Sequence, residues 1–345
     1  MKSLTNRLLG LAAGIAVACA ATSALAVDLT GAGATFPYPI YSKWAEAYKA
    51  KTGVGLNYQP IGSGGGIAQI KAKTVTFGAT DKPLLPADLQ AAGLTQFPTV
   101  IGGVVPVVNI PGVKAGELVL DGKTLADICL GNVKYWDDAA VKRLNPGVNL
   151  PHLAIVGVHR SDGSGTNFIF TAYLSKKSPQ WASQVGEDTA VDWPTGIGAK
   201  GNEGVAESVK QATGSLGYVE YAYAKANHIA YVRMINHDGV AVEPTAEAFK
   251  AASARTDWAH APGFFVVLTD QPGHDAWPIA GATFILVYKN PSDPNAQKEA
   301  LKFFKWAYEN GDALAEANDY VPLPQSTKDE IYKSWQANIV PASLP

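Results

Sequence analysis

The sequence predicts an α/β fold built on an open, doubly wound sheet. One observation is the short, β-branched apolar run at residues 153–158, which is typical of a buried strand. A second is that residues 167–174 carry apolar side chains at helical spacing. The third is that this order, a strand, a turn rich in Gly, Ser, Thr and Asp, and then a helix, recurs along the chain. In such sheets, ligands bind at the carboxyl ends of the strands.

The N-terminal part of the chain repeats this unit. Gly53 is the expected stop of the first helix, and Ser63 is the N-cap candidate of the second. The predicted elements are, in chain order, a glycine-rich strand end at 29–36, a helix at 39–51, a strand at 56–61, a helix that carries Ile67 and Ile70, a strand at 75–79, a helix at 86–92, and two tail helices at 295–310 and 326–338.

The length of 345 residues exceeds one ordinary hydrophobic core, so two domains are expected. Two long apolar strands, at 99–105 and 282–288, lie far apart in the sequence, and we interpret them as the crossings between two lobes. The first lobe is predicted to combine residues 27–102 with residues 281–345. The second lobe is predicted to be the inserted segment 103–280.

Residues 1–26 have the organisation of a secretory signal peptide. Lys2 and Arg7 precede an apolar stretch, and Ala24-Leu25-Ala26 is an A-x-A cleavage site. We therefore predict export with cleavage after Ala26. The apolar stretch is short for a bilayer, and no other segment is long and apolar enough to cross one, so the protein is not expected to be embedded in a membrane.

Composition and charge exclude several classes of protein. A charged fraction of 17% is that of a globular protein and not of a disordered tail. A formal net charge of −2 argues against a nucleic-acid partner held by counterion release. Any bound anion must therefore be held by local dipoles and a few charges, because the overall field does not attract it.

The turn that follows the strand at 153–158 has the chemistry of an anion site. It places Ser164, Gly165 and Thr166 at a helix N-terminus, where unpaired N–H groups and the positive end of the helix dipole favour an oxyanion. Arg160 adds a planar, permanently charged fork. An N-capped turn with a surface arginine is the ordinary alternative for each residue taken singly.

Three other segments share this placement after a predicted strand, and they contain Thr35 and Phe36, Ser63, and Asp81. Each of them alone is more often a cap or a turn residue. Together they indicate a ligand site, because all of them occupy the sheet edge where α/β proteins bind ligands.

Other motifs lack the context that they need. Residues 196–201 match the letters of the dinucleotide fingerprint, but Trp193-Pro194 precedes them instead of a clean strand, and a loop before a helix is the better interpretation. Gly122-Lys123-Thr124 resembles the end of a P-loop, but the upstream glycine is one residue too far away. Neither candidate serine lies in a G-x-S-x-G motif, and the six histidines show no metal-ligand spacing.

These residues also carry a family resemblance, which runs through nearly all of the chain after the signal peptide. The chain resembles the periplasmic phosphate-binding proteins of phosphate-specific ABC transporters. The matching stretches are residues 29–37, 77–81, 97–104, 116–124, 160–166, 217–225 and 275–279. The resemblance implies a two-lobed periplasmic binding protein fold (type II) that closes on one inorganic phosphate in the cleft between its lobes. It also implies delivery of that phosphate to the inner-membrane permease subunits of the importer, and we expect a monomer.

Carried over position by position, the resemblance also implies a ligand set. Asp81 would accept a proton from the ligand, Arg160 would pair with the anion, and Asp162 would brace Arg160. The other ligands would supply hydroxyl and backbone N–H donors; they are Thr35, Phe36, Ser63, Ser164, Gly165 and Thr166.

Asp81 suggests how the ligand is selected. A carboxylate repels a dianion unless the ligand brings its own proton, as phosphate does near neutral pH and sulfate does not. An unmatched buried acceptor costs about 1–3 kcal/mol, and charge repulsion in a dry cleft adds to that. We therefore expect Asp81 to set specificity, and Arg160 and the helix N-termini to supply affinity.

Three alternatives remain at this stage. The first is a periplasmic phosphatase or phosphotransferase with Ser164 or Asp81 as nucleophile, against which stand the missing metal ligands and the lack of a second acid or base. The second is a binding protein for another oxyanion, such as sulfate or molybdate. The third is an adhesion or scaffolding protein that keeps the fold without the pocket. We expect no enzyme activity, no cofactor and no metal.

Overall fold

The structure, a computed structural model, describes residues 29–345. The predicted signal peptide, its cleavage after Ala26 and the first residues of the expected mature chain lie outside the described residues. Within the described part, no helix has both the length and the apolar character that crossing a bilayer requires.

The strands alternate with helices along most of the chain, as the sequence predicts. The strands are β1 (Leu29–Gly33), β2 (Leu56–Gln59), β3 (Phe77–Thr80), β4 (Leu94–Val108), β5 (Val119–Leu120), β6 (Val156–Arg160), β7 (Ile197–Ala199), β8 (Ser215–Glu220), β9 (Ala230–Tyr231), β10 (Arg233–Ile235), β11 (Ala241–Val242), β12 (Ala280–Tyr288) and β13 (Val321–Pro322).

Within residues 29–345, the helices occupy segments between the strands and most of the C-terminal part. They are α1 (Tyr38–Thr52), α2 (Ser63–Lys71), α3 (Pro86–Ala92), α4 (Gly122–Cys129), α5 (Ala139–Leu144), α6 (Gly165–Lys177), α7 (Pro179–Gln184), α8 (Gly201–Gln211), α9 (Tyr221–Ala226), α10 (Ala246–Ser253), α11 (Pro294–Asn310), α12 (Asp312–Ala317) and α13 (Gln325–Asn338), with short 3₁₀ turns at Pro262–Phe264 and Pro341–Ser343.

A large mixed sheet organises residues 29–345, with strand order β2-β1-β3-β12-β4-β8-β6-β7 and with β9 and β13 paired to β4. Strands β1, β2 and β3 are parallel, and so are β6, β7 and β8. Strand β4 is buried along its whole length and pairs antiparallel with β12 on one side and with β8 on the other. Both long apolar strands expected from the sequence are therefore confirmed, and they join two sets of parallel strands.

Helix ends follow the expected residues in most cases. Gly53 takes the left-handed conformation (φ 80°) that ends α1, and the side chain of Ser164 caps α6 by accepting from the Asn167 N–H at 3.0 Å. The N-cap expectation for Ser63 is wrong. Gly62 holds that position with φ 91°, and Ser63 is the first helical residue, which frees its hydroxyl for contacts outside the helix.

The strand expected at 153–158 lies further along the chain, at Val156–Arg160. Its register explains the shift, because Val156 pairs with β8 while Arg160 pairs with Ala199 on β7. His159 and Arg160 are polar, so a search for runs of apolar residues does not detect this end of the strand. Arg160 consequently sits on a hydrogen-bonded strand and not in a free loop.

The pairing of β12 with β3 places one polar side chain near Asp81, at a point where the register of β12 against β4 also shifts. The register shifts between Thr283 and Phe284, opposite Pro98, which has no N–H to donate to the ladder. On its other side, β12 pairs Phe284 with Thr80 at the end of β3. Thr283 therefore lies next to the residue that follows Thr80, and the next section describes their contact.

Candidate functional site

Three adjacent parallel strands end at one edge of the sheet and carry the N-terminal part of the site. Strand β1 leads to Thr35 and Phe36, β2 leads to Ser63, and β3 leads to Asp81. All four residues are buried. Ser63 begins α2, so its N–H belongs to the first helical turn, which has no partner within the helix.

Strand β6 and helix α6 carry the other part of the site. Ser164 is the N-cap of α6, and Gly165 and Thr166 are its first two residues. The Ser164 N–H donates to the Thr189 carbonyl at 2.8 Å, so this amide is already occupied, whereas the Ser164 hydroxyl keeps its own proton while it caps the helix. The predicted helix N-terminus is confirmed.

The two parts of the site touch each other. The Gly165 N–H donates to Ser63 Oγ at 3.0 Å, and the Gly64 N–H donates to the Gly163 carbonyl at 2.8 Å. Gly165 permits this approach, because a Cβ atom there would lie 2.5 Å from Ser63 Oγ and from Asp81 Oδ2. The structure thus brings the residues predicted from distant parts of the sequence into one closed cluster.

Two of the three guanidinium nitrogens of Arg160 donate hydrogen bonds to Asp162. Nε donates to Oδ1 at 2.8 Å and Nη2 donates to Oδ2 at 2.6 Å, so Asp162 fixes the guanidinium plane. Burial favours a higher pKa for Asp162, but the hydrogen bonds and charge of Arg160 outweigh it and hold that pKa below its usual value. Nη1 is buried and has no hydrogen-bond partner among residues 29–345.

Asp81 is a buried carboxyl with an unusual pKa. Its side chain belongs to a residue that is only 2% exposed, and burial raises its pKa to about 7 against the opposing effects of the Thr283 hydrogen bond, the Arg160 charge and Ser63. Thr283 Oγ1 donates to Asp81 Oδ1 at 2.6 Å, while Oδ2 lies 3.5 Å from Ser63 Oγ. Near neutral pH, this carboxyl can either accept a hydrogen bond or, when protonated, donate one.

Sequence reasoning missed several residues that position the cluster. Asn202 Nδ2 donates to Thr35 Oγ1 at 2.7 Å, and the Tyr223 hydroxyl donates to the Thr35 carbonyl at 2.8 Å. Asn202 directly follows the glycine-rich residues 196–201, which include strand β7 and lead into α8. The interpretation of residues 196–201 as a loop is wrong, because β7 covers Ile197–Ala199 and pairs with β6. The order of strand, glycine and helix is the signal that could have found Asn202.

The chemistry of the cluster suits an anion, because it combines several hydrogen-bond donors with the Asp81 carboxyl as an acceptor. Hydroxyls, first-turn amides and one guanidinium nitrogen converge beside a single carboxyl. Across residues 29–345, no group of three or more His, Cys, Asp or Glu side chains is arranged to hold a metal ion.

Comparisons with known proteins identify the family of this chain. A family model described as a PBP superfamily domain matches residues 19–310. The phosphate-binding protein PstS of Pasteurella multocida is 51% identical over 314 residues, which cover 91% of each chain.

Solved structures show the same fold. A high affinity periplasmic phosphate-binding protein (PfluDING) bound with phosphate matches at a TM-score of 0.73 and 21% identity, covering 92% of this chain and 97% of that one. An ABC-type phosphate transport receptor from Vibrio cholerae matches at 0.55 and 20% identity, covering 86% of this chain and all of the other (100%). The predicted α/β, two-lobed periplasmic binding protein fold is confirmed. The chain belongs to the PBP superfamily and, within it, to the family of the phosphate-binding proteins PstS.

Proposed function

We propose that this chain binds one inorganic phosphate at the cluster formed by the ends of β1–β3 and by the β6–α6 turn. We further propose that it selects a protonated oxyanion through Asp81 and delivers the phosphate to the permease subunits of an ABC importer. Family membership makes the chain a binding protein and not an enzyme.

The affinity for the anion comes from donors and dipoles more than from net charge. Asp162 neutralises Arg160, so the pair contributes little net positive charge to the cluster. The donors available to an oxyanion are Arg160 Nη1, the backbone N–H groups of Ser63 and Thr166 at the starts of α2 and α6, and the hydroxyls of Thr35, Ser164 and Thr166. This arrangement suits an anion with four oxygens, because each oxygen can accept from more than one direction.

The observation that carries the proposal is the position of Asp81 inside this set of donors. The Thr283 hydroxyl holds Oδ1 as an acceptor, and Oδ2 lies beside Ser63 and Gly165. A ligand with a P–OH group can donate to this carboxylate, whereas sulfate presents only acceptors to it. The unmatched acceptor pair and the charge repulsion then disfavour sulfate at the ionised carboxylate by several kcal/mol, so sulfate binds only when Asp81 is protonated.

Phosphate bound at this cluster also favours closure of the two proposed lobes. We assign residues 27–102 and 281–345 to one lobe and residues 103–280 to the other, joined by β4 and β12. The bonds from Gly165 to Ser63 and from Gly64 to Gly163 then cross between lobes, and phosphate strengthens the closed state by binding both sides. Small-angle scattering should show compaction when phosphate is added; identical curves would count against the hinge.

Location and partners follow from the same assignment. We propose a periplasmic monomer that is exported through residues 1–26 and cleaved after Ala26. N-terminal sequencing of the exported protein tests the cleavage site, and a first residue other than Val27 would correct it.

Calorimetry tests the binding function directly. The mature chain, stripped of ligand by unfolding and refolding, is titrated with phosphate, sulfate and arsenate at pH 8. We expect one phosphate per chain and at least roughly tenfold weaker binding of sulfate, because only about a tenth of Asp81 is protonated at pH 8. Equal binding of phosphate and sulfate would contradict the role of Asp81, and binding of sulfate alone would make this a receptor for a different oxyanion.

A further inference from the structure

The amide of Asn202 contacts hydroxyls on both sides of the cluster. Its Nδ2 donates to Thr35 Oγ1 at 2.7 Å and to Thr166 Oγ1 at 3.1 Å. Asn202 is fully buried, at 0% exposure, at the start of α8. One side chain therefore joins a hydroxyl that follows β1 to a hydroxyl at the start of α6.

The orientation of this amide is fixed by the backbone. The Glu220 N–H donates to Asn202 Oδ1 at 2.8 Å. A backbone N–H can only donate, so the amide oxygen must face Glu220. The NH₂ group, which has two protons and accepts nothing, must then face the two threonines.

This arrangement decides where the threonine protons point. A hydroxyl has one proton and two lone pairs. Thr35 Oγ1 accepts from Asn202 Nδ2 and also from the Asn202 backbone N–H at 3.4 Å, so both of its lone pairs are engaged. Its proton must be donated in another direction. Thr166 Oγ1 likewise cannot donate to Asn202, because Nδ2 accepts no hydrogen bond.

We propose that Asn202 is a positioning residue that makes Thr35 and Thr166 donors toward the bound oxyanion. This inference rests on the proposed phosphate function and deepens it. Asn202 and Thr283 have opposite effects on the site: Asn202 commits two hydroxyls to donate to the ligand, and Thr283 holds one carboxyl oxygen as an acceptor. The combination matches an anion that has several acceptor oxygens and one proton.

Asn202→Asp is the most informative variant. Aspartate keeps the shape of the side chain and the acceptor for the Glu220 N–H, but it replaces the donating NH₂ with an accepting oxygen. Both threonine hydroxyls then donate to residue 202 and turn away from the ligand. We expect the phosphate association constant to fall roughly 100-fold or more, because two hydrogen bonds to a charged ligand are lost.

Asn202→Leu separates positioning from ordinary packing. Leucine removes the bond to the Glu220 N–H as well as both donors, so it perturbs the fold more than aspartate does. It leaves the hydroxyls free to rotate toward the ligand, however, and we expect only roughly tenfold weaker binding. A positioning role therefore predicts that the aspartate variant binds worse than the leucine variant, whereas a structural role predicts the reverse order.

A pH profile and a charge control complete the design. Binding by Asn202→Asp should recover in part from pH 8 to pH 5, because the protonated carboxyl regains one donor. The titratable neighbours are Glu220, whose N–H faces residue 202, and Asp162, which accepts from the adjacent Gly201 N–H at 3.0 Å. Asn57→Asp adds the same charge at an exposed position of β2 and leaves both neighbours unchanged, so its binding should match the wild type at each pH.

The possible results distinguish this inference from the proposed function. If the wild-type chain binds no phosphate in calorimetry, the proposed function fails. If the wild type binds and Asn202→Asp binds equally well, only the inference on Asn202 is overturned. If the aspartate variant does not fold, the leucine variant decides: roughly tenfold weaker binding supports the inference, and unchanged binding overturns it.

Discussion

The pH dependence of sulfate binding is the most informative consequence of the Asp81 environment. Burial raises the pKa of Asp81 to about 7, so its carboxyl changes from donor to acceptor across the neutral range. Below this pKa, the protonated carboxyl can donate to a sulfate oxygen. Above it, the carboxylate faces sulfate with an acceptor and a negative charge. We therefore predict that sulfate, excluded at pH 8.5, binds at pH 5.5.

The size of the effect follows from the protonated fraction. With a pKa of about 7, Asp81 is almost fully protonated at pH 5.5 and only about 3% protonated at pH 8.5. If sulfate binds only the protonated form, its association constant scales with that fraction and falls about 30-fold between these two pH values. Phosphate supplies a proton itself, so its affinity changes less and the preference for phosphate narrows in acid.

Competition calorimetry at constant ionic strength measures both association constants at each pH. Glu220 is the matched control, because burial raises its pKa to about 8 and it titrates over the same range. We expect Glu220→Gln to keep the sulfate profile and Asp81→Asn to flatten it. A sulfate affinity that is constant or that rises with pH in the wild type would refute the reasoning.

Three further predictions follow from contacts of the cluster. Thr283→Val removes the donor to Asp81 Oδ1, so the pH at which sulfate binding is lost should rise by about one unit or more. Thr283→Ser keeps a hydroxyl and should restore the wild-type pH profile. An unchanged profile for Thr283→Val in competition titrations would show that this bond has no role. Gly165→Ala should weaken phosphate binding at least roughly tenfold by calorimetry, because the added Cβ would lie 2.5 Å from Ser63 Oγ. Gly204→Ala is the control and should bind phosphate normally, because the nearest atom to its added Cβ lies 3.8 Å away. Ligand-free protein should become less stable from pH 5 to pH 8, by roughly 3 kcal/mol from Asp81 alone. The reason is that the raised pKa values of Asp81 and Glu220 let the folded state hold protons that the unfolded chain releases, and thermal unfolding that shows rising stability over this range would contradict it.

Periodicity and turn chemistry were sufficient to predict most elements near the site. Helix α3 matches its expected bounds at Pro86–Ala92, and the N-terminus of α6 lies at Ser164 and Gly165 as expected. These segments have strong local signals, such as proline at the first helical turn and a capping serine. Local signals also place Asp81 at the end of a strand, where the structure has it.

Sequence patterns fail where a tertiary partner decides the role of a residue. The bracing of Arg160 by Asp162 was expected from the resemblance and is confirmed, but only the structure shows that it leaves Nη1 as the guanidinium nitrogen without a partner among residues 29–345. Thr283 lies in an apolar strand, and only the pairing of β12 with β3 shows that its hydroxyl reaches Asp81. No local pattern contains that information, because it depends on how β12 pairs with β3 and β4.

The same limit applies to the boundaries of β6 and to Asn202. Strand β6 continues through polar residues because β7 and β8 supply its hydrogen bonds, and an apolar pattern does not detect such pairing. Asn202 acquires its role from two threonines that are distant in sequence. The residues proposed to contact the ligand were therefore accessible from the sequence, whereas Thr283 and Asn202, which contact those residues, required the fold.

The central claim is that the carboxyl of residue 81 distinguishes anions by whether they carry a proton. The most direct measurement compares the ratio of phosphate to sulfate association constants in the wild type, in Asp81→Asn, and in Asp88→Asn, which removes an exposed charge from α3. At pH 8.5, the account predicts that this ratio falls roughly 30-fold in Asp81→Asn alone, because the asparagine amide can donate to sulfate without being protonated. A ratio in Asp81→Asn equal to that of the wild type would contradict the account.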